Sequence, residues 1–130
     1  MTDWYQDIVN YHTKVMKDDF PKFPHIPIYQ YRDLRRNLIE EEITETLDAI
    51  RGNDLVELAD GIVDSIVVLL GTAITYGIDV RPIWDIIHNS NMAKEGGKLR
   101  DDGKMMKPEG WVSPKFSIIE EIKRQCRLNK

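Results

Sequence analysis

"LIEEEITET", residues 38–46, decides how this chain is read. Three consecutive acids follow two aliphatics, and a fourth follows three residues later. The surrounding stretch from Tyr31 to Arg51 has helical spacing, closed by Gly52 and Asn53. On a wheel turning about 100° per residue, Asn37, Glu40, Thr44, Asp48 and Arg51 fall together as the solvent face. Ile39, Ile43, Leu47 and Ile50 form the opposite, apolar face. Glu41 and Glu45 share a stripe with Leu34 and Leu38, and Glu42 sits beside them, next to Ala49. A run of glutamates on a helix is ordinarily a wet flank, because Glu is almost never fully buried unless paired. Here three of the four acids occupy a stripe whose other members are apolar.

The next helical stretch, "DLVELADGIVDSIVVLLGTAITYG" from Asp54 to Gly77, repeats the feature. Glu57, Gly61, Asp64, Val68 and Gly71 lie on one stripe, with Asp60 at its edge. From Ile66 to Ile74 the helix is apolar all round, which implies burial on every side. Alone, this helix is equally compatible with one wet acidic stripe. The short turn before it makes the two helices antiparallel neighbours, and together they set acids against acids. At about 4 Å and an effective dielectric of about 20, each like-charge pair costs on the order of 4 kcal/mol. Such a cluster persists only if acids stay protonated or a cation sits among them. All-oxygen ligands suit Mg²⁺ or Mn²⁺ and disfavour zinc. A di-iron bundle needs Glu-x-x-His from two helices. None of His12, His25 and His88 follows a glutamate at that spacing, and only His88 follows an aspartate, Asp85.

The rest of the chain is helical with little strand signal, so the expected fold class is all-α, a bundle of four to five helices. Trp4, Ile8, Tyr11 and Val15 recur at helix spacing behind Asp3, a suitable N-cap. Prolines at 21, 24 and 27 exclude helix and central strand, so "DDFPKFPHIPIY" is an extended connector. A fourth helix starts near Arg81 and Pro82 and runs to about Lys94. "KEGGKLRDDGKMMKPEGWVSP" is loop-like, and its "DDG" could turn a small hairpin near residues 97–107. A last helix follows Ser113 and Pro114, with Ile119, Ile122 and Cys126 on one face.

The 130 residues fit one domain spanning 1–130. A net charge of −4 exerts no global pull toward a nucleic-acid polymer or an acidic membrane. The single cysteine, Cys126, forbids an internal disulfide and suits a reducing cytosol. The first ten residues carry acids and no apolar run of the kind a signal peptide needs. The longest apolar run, residues 66–74, is short of the ~20 residues a spanning helix requires, so neither a membrane nor a nucleic acid is an expected partner.

"LIEEEITE" followed by "ELADGIVDSIVVLLGTAITYGID" resembles the all-α NTP pyrophosphohydrolases, the superfamily of MazG-like proteins, dimeric dUTPases and phosphoribosyl-ATP pyrophosphohydrolases. "HNSNMAKEGGKLRDDGKMMKPEGWVSP" and "NYHTKVM" before "RRNLIEEE" are similar to its MazG-like, phosphoribosyl-ATP pyrophosphohydrolase-like branch, so the resemblance covers nearly the whole chain. It implies Mg²⁺-dependent cleavage of a (d)NTP between the α- and β-phosphates. The family's EExxE falls on Glu41, Glu42 and Glu45, with Glu41 or Glu42 as general base and Glu42 and Glu45 as metal ligands. Its second pair, ExxD, fits Glu57 and Asp60 literally. The distance to "GID" points instead to Asp64, which leaves Gly61 where Glu belongs and lets Glu57 or Asp60 complete the set. Residues 94–115 hold six cations against four acids, a net +2 in an acidic chain. The resemblance raises Lys94, Lys104 and Lys107 as phosphate ligands. Asn91 could bond base or ribose, and Trp111, more than Trp84, could stack on the base. The apolar helix needs more cover than one small chain offers, so a homodimer or homotetramer in the cytoplasm is expected. Two alternatives stay open: a dedicated phosphoribosyl-ATP enzyme, or a non-catalytic helical nucleotide-binding protein.

The wheel makes a direct prediction. Glu45→Gln abolishes turnover and leaves the fold intact or more stable, because it removes like-charge repulsion, whereas Glu40→Gln changes little. Equal loss of activity in both variants would show the stripe misplaced.

Overall fold

A computed structural model describes residues 2–128. Its helices are α1 (Trp4–Asn10), α2 (Tyr29–Arg51), α3 (Leu55–Thr75), α4 (Arg81–Met92) and α5 (Lys115–Leu128), with a π-helical turn over Tyr11–Val15 directly after α1. The described residues contain no named strand. Leu99 and Met105 form one antiparallel bridge, and Met106 N–H donates to Lys98 C=O at 2.7 Å, so the "DDG" turn closes the expected small hairpin. The chain divides into two compact units, Met1–Asp79 and Val80–Lys130.

In the first unit the caps explain the boundaries. Asp3 Oδ1 accepts from Gln6 N–H at 3.0 Å and starts α1. The sequence suggested a regular helix through Val15, but the structure widens it into a π turn that carries His12 into the interior, where it is 3% exposed. The proline-rich connector then runs to α2. His25 N–H donates to Tyr76 C=O at 3.0 Å. Gly77 sits at φ +71°, and a Cβ there would collide with the Phe23 carbonyl, so glycine permits both the end of α3 and the approach of the connector. Between α2 and α3, Asn53 takes φ +53°, and the Asp54 carboxylate accepts from Val56 and Glu57 N–H, both at 3.1 Å.

Helices α2 and α3 pack antiparallel. Arg35, early in α2, bonds Val68 and Thr72, late in α3; Thr46, late in α2, meets Ser65, nearer the start of α3. The face that α2 turns to α3 carries buried Arg35 and Ala49 and half-buried Glu42 and Thr46. The solvent face read from the wheel is exposed throughout: Asn37, Glu40, Thr44, Asp48 and Arg51. The apolar face is not the one α2 turns to α3, for Leu47 is 49% and Ile50 54% exposed. Residues 66–74 are also not buried on every side, Leu69 being 48% exposed. One layer of helix cannot cover both sides of α3. By length and composition alone α3 could cross a membrane. However, it carries Asp60 and Asp64 in that stretch, groups that are costly in hydrocarbon.

A polar knot closes the upper end of this pair. Arg35 Nη2 donates to Val68 C=O at 2.9 Å and Nε to Thr72 Oγ1 at 3.1 Å. His12 Nδ1 lies 3.1 Å from Asp18 Oδ2, an ion-pair distance without hydrogen-bond alignment. A Cβ at Gly71 would lie 2.5 Å from Arg35 Nη2 and 2.8 Å from His12 Nε2, so the glycine makes room for both. Burial first, then the Arg35 charge, depress the His12 pKa below 6.5, against a smaller opposing pull from Asp18.

In the second unit Pro82 lies in the first turn of α4, and α4 packs on α5. Ser113 Oγ accepts from Lys115 N–H at 3.2 Å where α5 begins.

The depressed His12 value fixes a sign. Below pH 6.5 the unfolded chain takes up His12's proton before the folded chain does, so stability is present above that pH and falls as the pH drops through the folded value. His12→Gln removes this part of the slope. Thermal melts of both proteins between pH 5 and 8 check it: the wild-type melting temperature falls more steeply below pH 6.5 than the variant's.

Candidate active site

The turns of α2 and α3 that carry the acids face each other. Glu42 is half-buried, and its Oε2 is buried without a hydrogen-bond partner. Desolvation, then the charges of Glu45, Asp64 and Glu41, and a hydrogen bond with Glu45, all raise its pKa above 4.5. Asp64 reaches Glu42 from the other helix, so the expected opposition of acids is present. Asp64 is half-buried, and Glu41 and Glu45 are exposed beside it. Glu57 and Asp60 lie exposed on α3, and neither is among the charges acting on Glu42.

These acids form an all-oxygen donor set, which suits a hard divalent cation. The unpartnered, buried Glu42 oxygen and the mutual repulsion around it are what a bound cation would relieve. The donor chemistry suits such an ion, and Glu42, Glu45 and Asp64 are the groups that would hold it; as they are placed, no group of three His, Cys, Asp or Glu side chains among the described residues could hold one.

Beneath the acids the helices touch. Thr46 Oγ1 donates to Glu42 C=O at 2.8 Å, Ser65 Oγ donates to Gly61 C=O at 2.7 Å, and the two hydroxyl oxygens are 3.2 Å apart. Sequence reasoning did not single out Thr46 or Ser65. The signal was Gly61, a glycine inside a strong helix, which marks close backbone approach.

The second unit assembles a different group. Trp111 Nε1–H donates to Ser90 C=O at 2.8 Å, which orients the indole. Lys107 Nζ lies 4.8 Å and Lys94 Nζ 5.4 Å from its ring centroid, within the range of cation–π attraction. Lys94 Nζ also donates to Asn91 Oδ1 at 3.1 Å. Asn91, Lys94, Lys107 and Trp111 thus gather around one aromatic. Lys104 does not join them: it is exposed on the hairpin, where its carbonyl accepts from Arg100 N–H and its N–H donates to Asp102. Arg100 clamps Asp102 through two bonds of 2.8 and 2.6 Å, and this holds the Asp102 carboxyl below its ordinary range. Trp84 is 72% exposed and makes no part of this group.

Residues 9–91 match the phosphoribosyl-ATP pyrophosphohydrolase family. The chain belongs to that family. The match spans most of the chain and contains Glu41, Glu42, Glu45, Glu57, Asp60, Asp64 and Asn91; it stops before Lys94, Lys104, Lys107 and Trp111. None of the curated proteins matches the chain. The family sits within the MazG-like all-α superfamily, so the resemblance read from the acid motifs holds. The protein is a nucleotide pyrophosphohydrolase, a hydrolase of acid anhydrides, in a family that generally depends on a divalent metal.

Proposed function

We propose that residues 1–130 work as one Mg²⁺-dependent nucleoside triphosphate pyrophosphohydrolase domain, splitting (d)NTPs into (d)NMP and pyrophosphate and so cleaning the nucleotide pool. The observation that carries this is Glu42 facing Asp64 across α2 and α3, with Glu45 and Glu41 beside it. Glu42, Glu45 and Asp64 would hold the cation, Mg²⁺ or in its place Mn²⁺, with Glu57 or Asp60 completing the set. Bound there, a divalent cation neutralises phosphate charge and acidifies water.

Glu41 and Glu42 are the candidate bases. Whichever of their oxygens the cation leaves free would take the proton of the attacking water. In the second unit the Trp111 face, the Asn91 amide and the Lys94 and Lys107 cations are groups suited to a base, a ribose and phosphate oxygens respectively. Lys104 stands apart from that group on the hairpin. The working form is a cytoplasmic homodimer or homotetramer, with no nucleic-acid polymer or membrane as partner. Its support is the exposed apolar surface: Leu47 and Ile50 on α2, Leu69 on α3, and an apolar groove between α1 and α3 lined by Trp4, Ile8, Val63 and Leu70.

The family match favours a second substrate, phosphoribosyl-ATP, which presents the same α–β anhydride. Purified protein with each common NTP and dNTP and with phosphoribosyl-ATP, plus Mg²⁺, separates these readings. Pyrophosphate release from a subset of (d)NTPs, abolished by EDTA, supports the first. Release from phosphoribosyl-ATP alone supports the second. Release from none, with Mn²⁺ also tried, leaves a nucleotide-binding protein. Light scattering checks the assembly: the expected mass is at least two 15.2 kDa chains, and a monodisperse monomer overturns it.

A further inference from the structure

We infer that Thr46, Ser65 and Gly61 form the positioning device that sets the separation between the carboxylates of α2 and Asp64 of α3. The inference rests on the reading of those carboxylates as the cation site. Each hydroxyl is bonded to the turn that carries an acid. Thr46 donates to the carbonyl of Glu42 itself, and Ser65, next in the chain to Asp64, donates to the carbonyl of Gly61. The hydroxyls then meet each other at 3.2 Å. Each hydroxyl donates only once, so with both protons on the carbonyls the hydroxyl oxygens meet as a close contact, and a bond across the helices forms when one hydroxyl turns from its carbonyl to the other.

Gly61 allows that meeting. A Cβ there would lie 2.6 Å from Thr46 Oγ1, 3.1 Å from Thr46 Cα and 3.3 Å from Thr46 Cβ. Backbone stands among those atoms, so a side chain at 61 cannot be absorbed by a rotamer change alone. It must push α2 from α3 at the level where Glu42 faces Asp64. Position 61 is also where the family pattern would place a ligand glutamate one turn before Asp64. In this chain the position serves the helix contact, and the burden of holding the cation shifts to Glu42, Glu45 and Asp64. The Arg35 bonds to Val68 and Thr72 pin the same two helices on the other side of Glu42. Displacement at Thr46 therefore tilts the acid layer rather than sliding it freely.

The test is Mn²⁺ binding by calorimetry, without nucleotide, on full-length variants whose helicity and melting temperature are measured alongside. Groups that orient metal ligands typically change affinity by about 10- to 100-fold when altered, and Gly61→Ala is expected to weaken Mn²⁺ by about tenfold. Thr46→Val, which removes the hydroxyl and adds no bulk, weakens Mn²⁺ where Thr46→Ser does not; this pair decides the matter if Gly61→Ala fails to fold. A lower melting temperature with unchanged Mn²⁺ affinity in Gly61→Ala and Thr46→Val would make the contact merely structural and overturn the inference. Glu45→Gln separates the two layers of argument: if it binds Mn²⁺ like the wild type, the reading of the acids falls, whatever Thr46 does.

Discussion

The close contact of α2 with α3 is the constraint on which the rest depends. Like charges at short range repel by several kcal/mol when partly desolvated, so two acid-bearing turns do not approach of their own accord. Here they are held by contacts on either side of Glu42. Thr46, Ser65 and Gly61 hold one side, and Arg35 with Val68 and Thr72 holds the other. The cost of the opposition is concentrated on Glu42, whose proton affinity rises and whose Oε2 has no partner. A buried acceptor left unpaired is expensive. That expense, kept in place by helix packing, is the physical basis of the proposed cation site.

The same contact explains the unusual core. Close helix approach needs small residues at the crossing, and the buried positions of α2 and α3 are accordingly Ala49, Gly61, Ser65, Gly71, Ala73 and Thr75 besides Arg35, with His12 set against Gly71. Larger aliphatics such as Leu47, Ile50 and Leu69 are left outside. A helical pair with its large apolar residues on the outer surface has the composition of an interface core. The proposed assembly and the proposed site thus have one origin: the inner face is spent on positioning acids, so the apolar faces must find cover elsewhere.

Much of this was legible in the sequence. The helix of Tyr29–Arg51 announces itself by periodicity and by Gly52–Asn53, and Asp54 marks the start of the next. The prolines at 21, 24 and 27 exclude helix where the connector runs. Glu41, Glu42, Glu45 and Asp64 stand out in the sequence because acids break an apolar pattern at helix spacing, and the matched span contains all of them. Other features were not legible. The π turn at Tyr11–Val15 leaves no mark in a 3.6-residue pattern. The wheel groups residues by angle but does not say which group meets a neighbour. Nothing local separates Glu57 and Asp60, exposed, from Asp64, which faces Glu42.

The sequence by itself determined the helices, their ends, and the presence of more carboxylates than a wet surface explains, because caps, breakers and periodicity are local. It also carried the family, because the spacing of acids along two helices is a linear property. Only the tertiary structure decided which acids oppose one another, that His12 and Arg35 share a buried knot, and that Asn91, Lys94 and Lys107 converge on Trp111 while Lys104 stays apart. Those outcomes depend on the rotation of one helix against another. That rotation is settled by a few small side chains at the crossing, whose effect appears only when both helices are present.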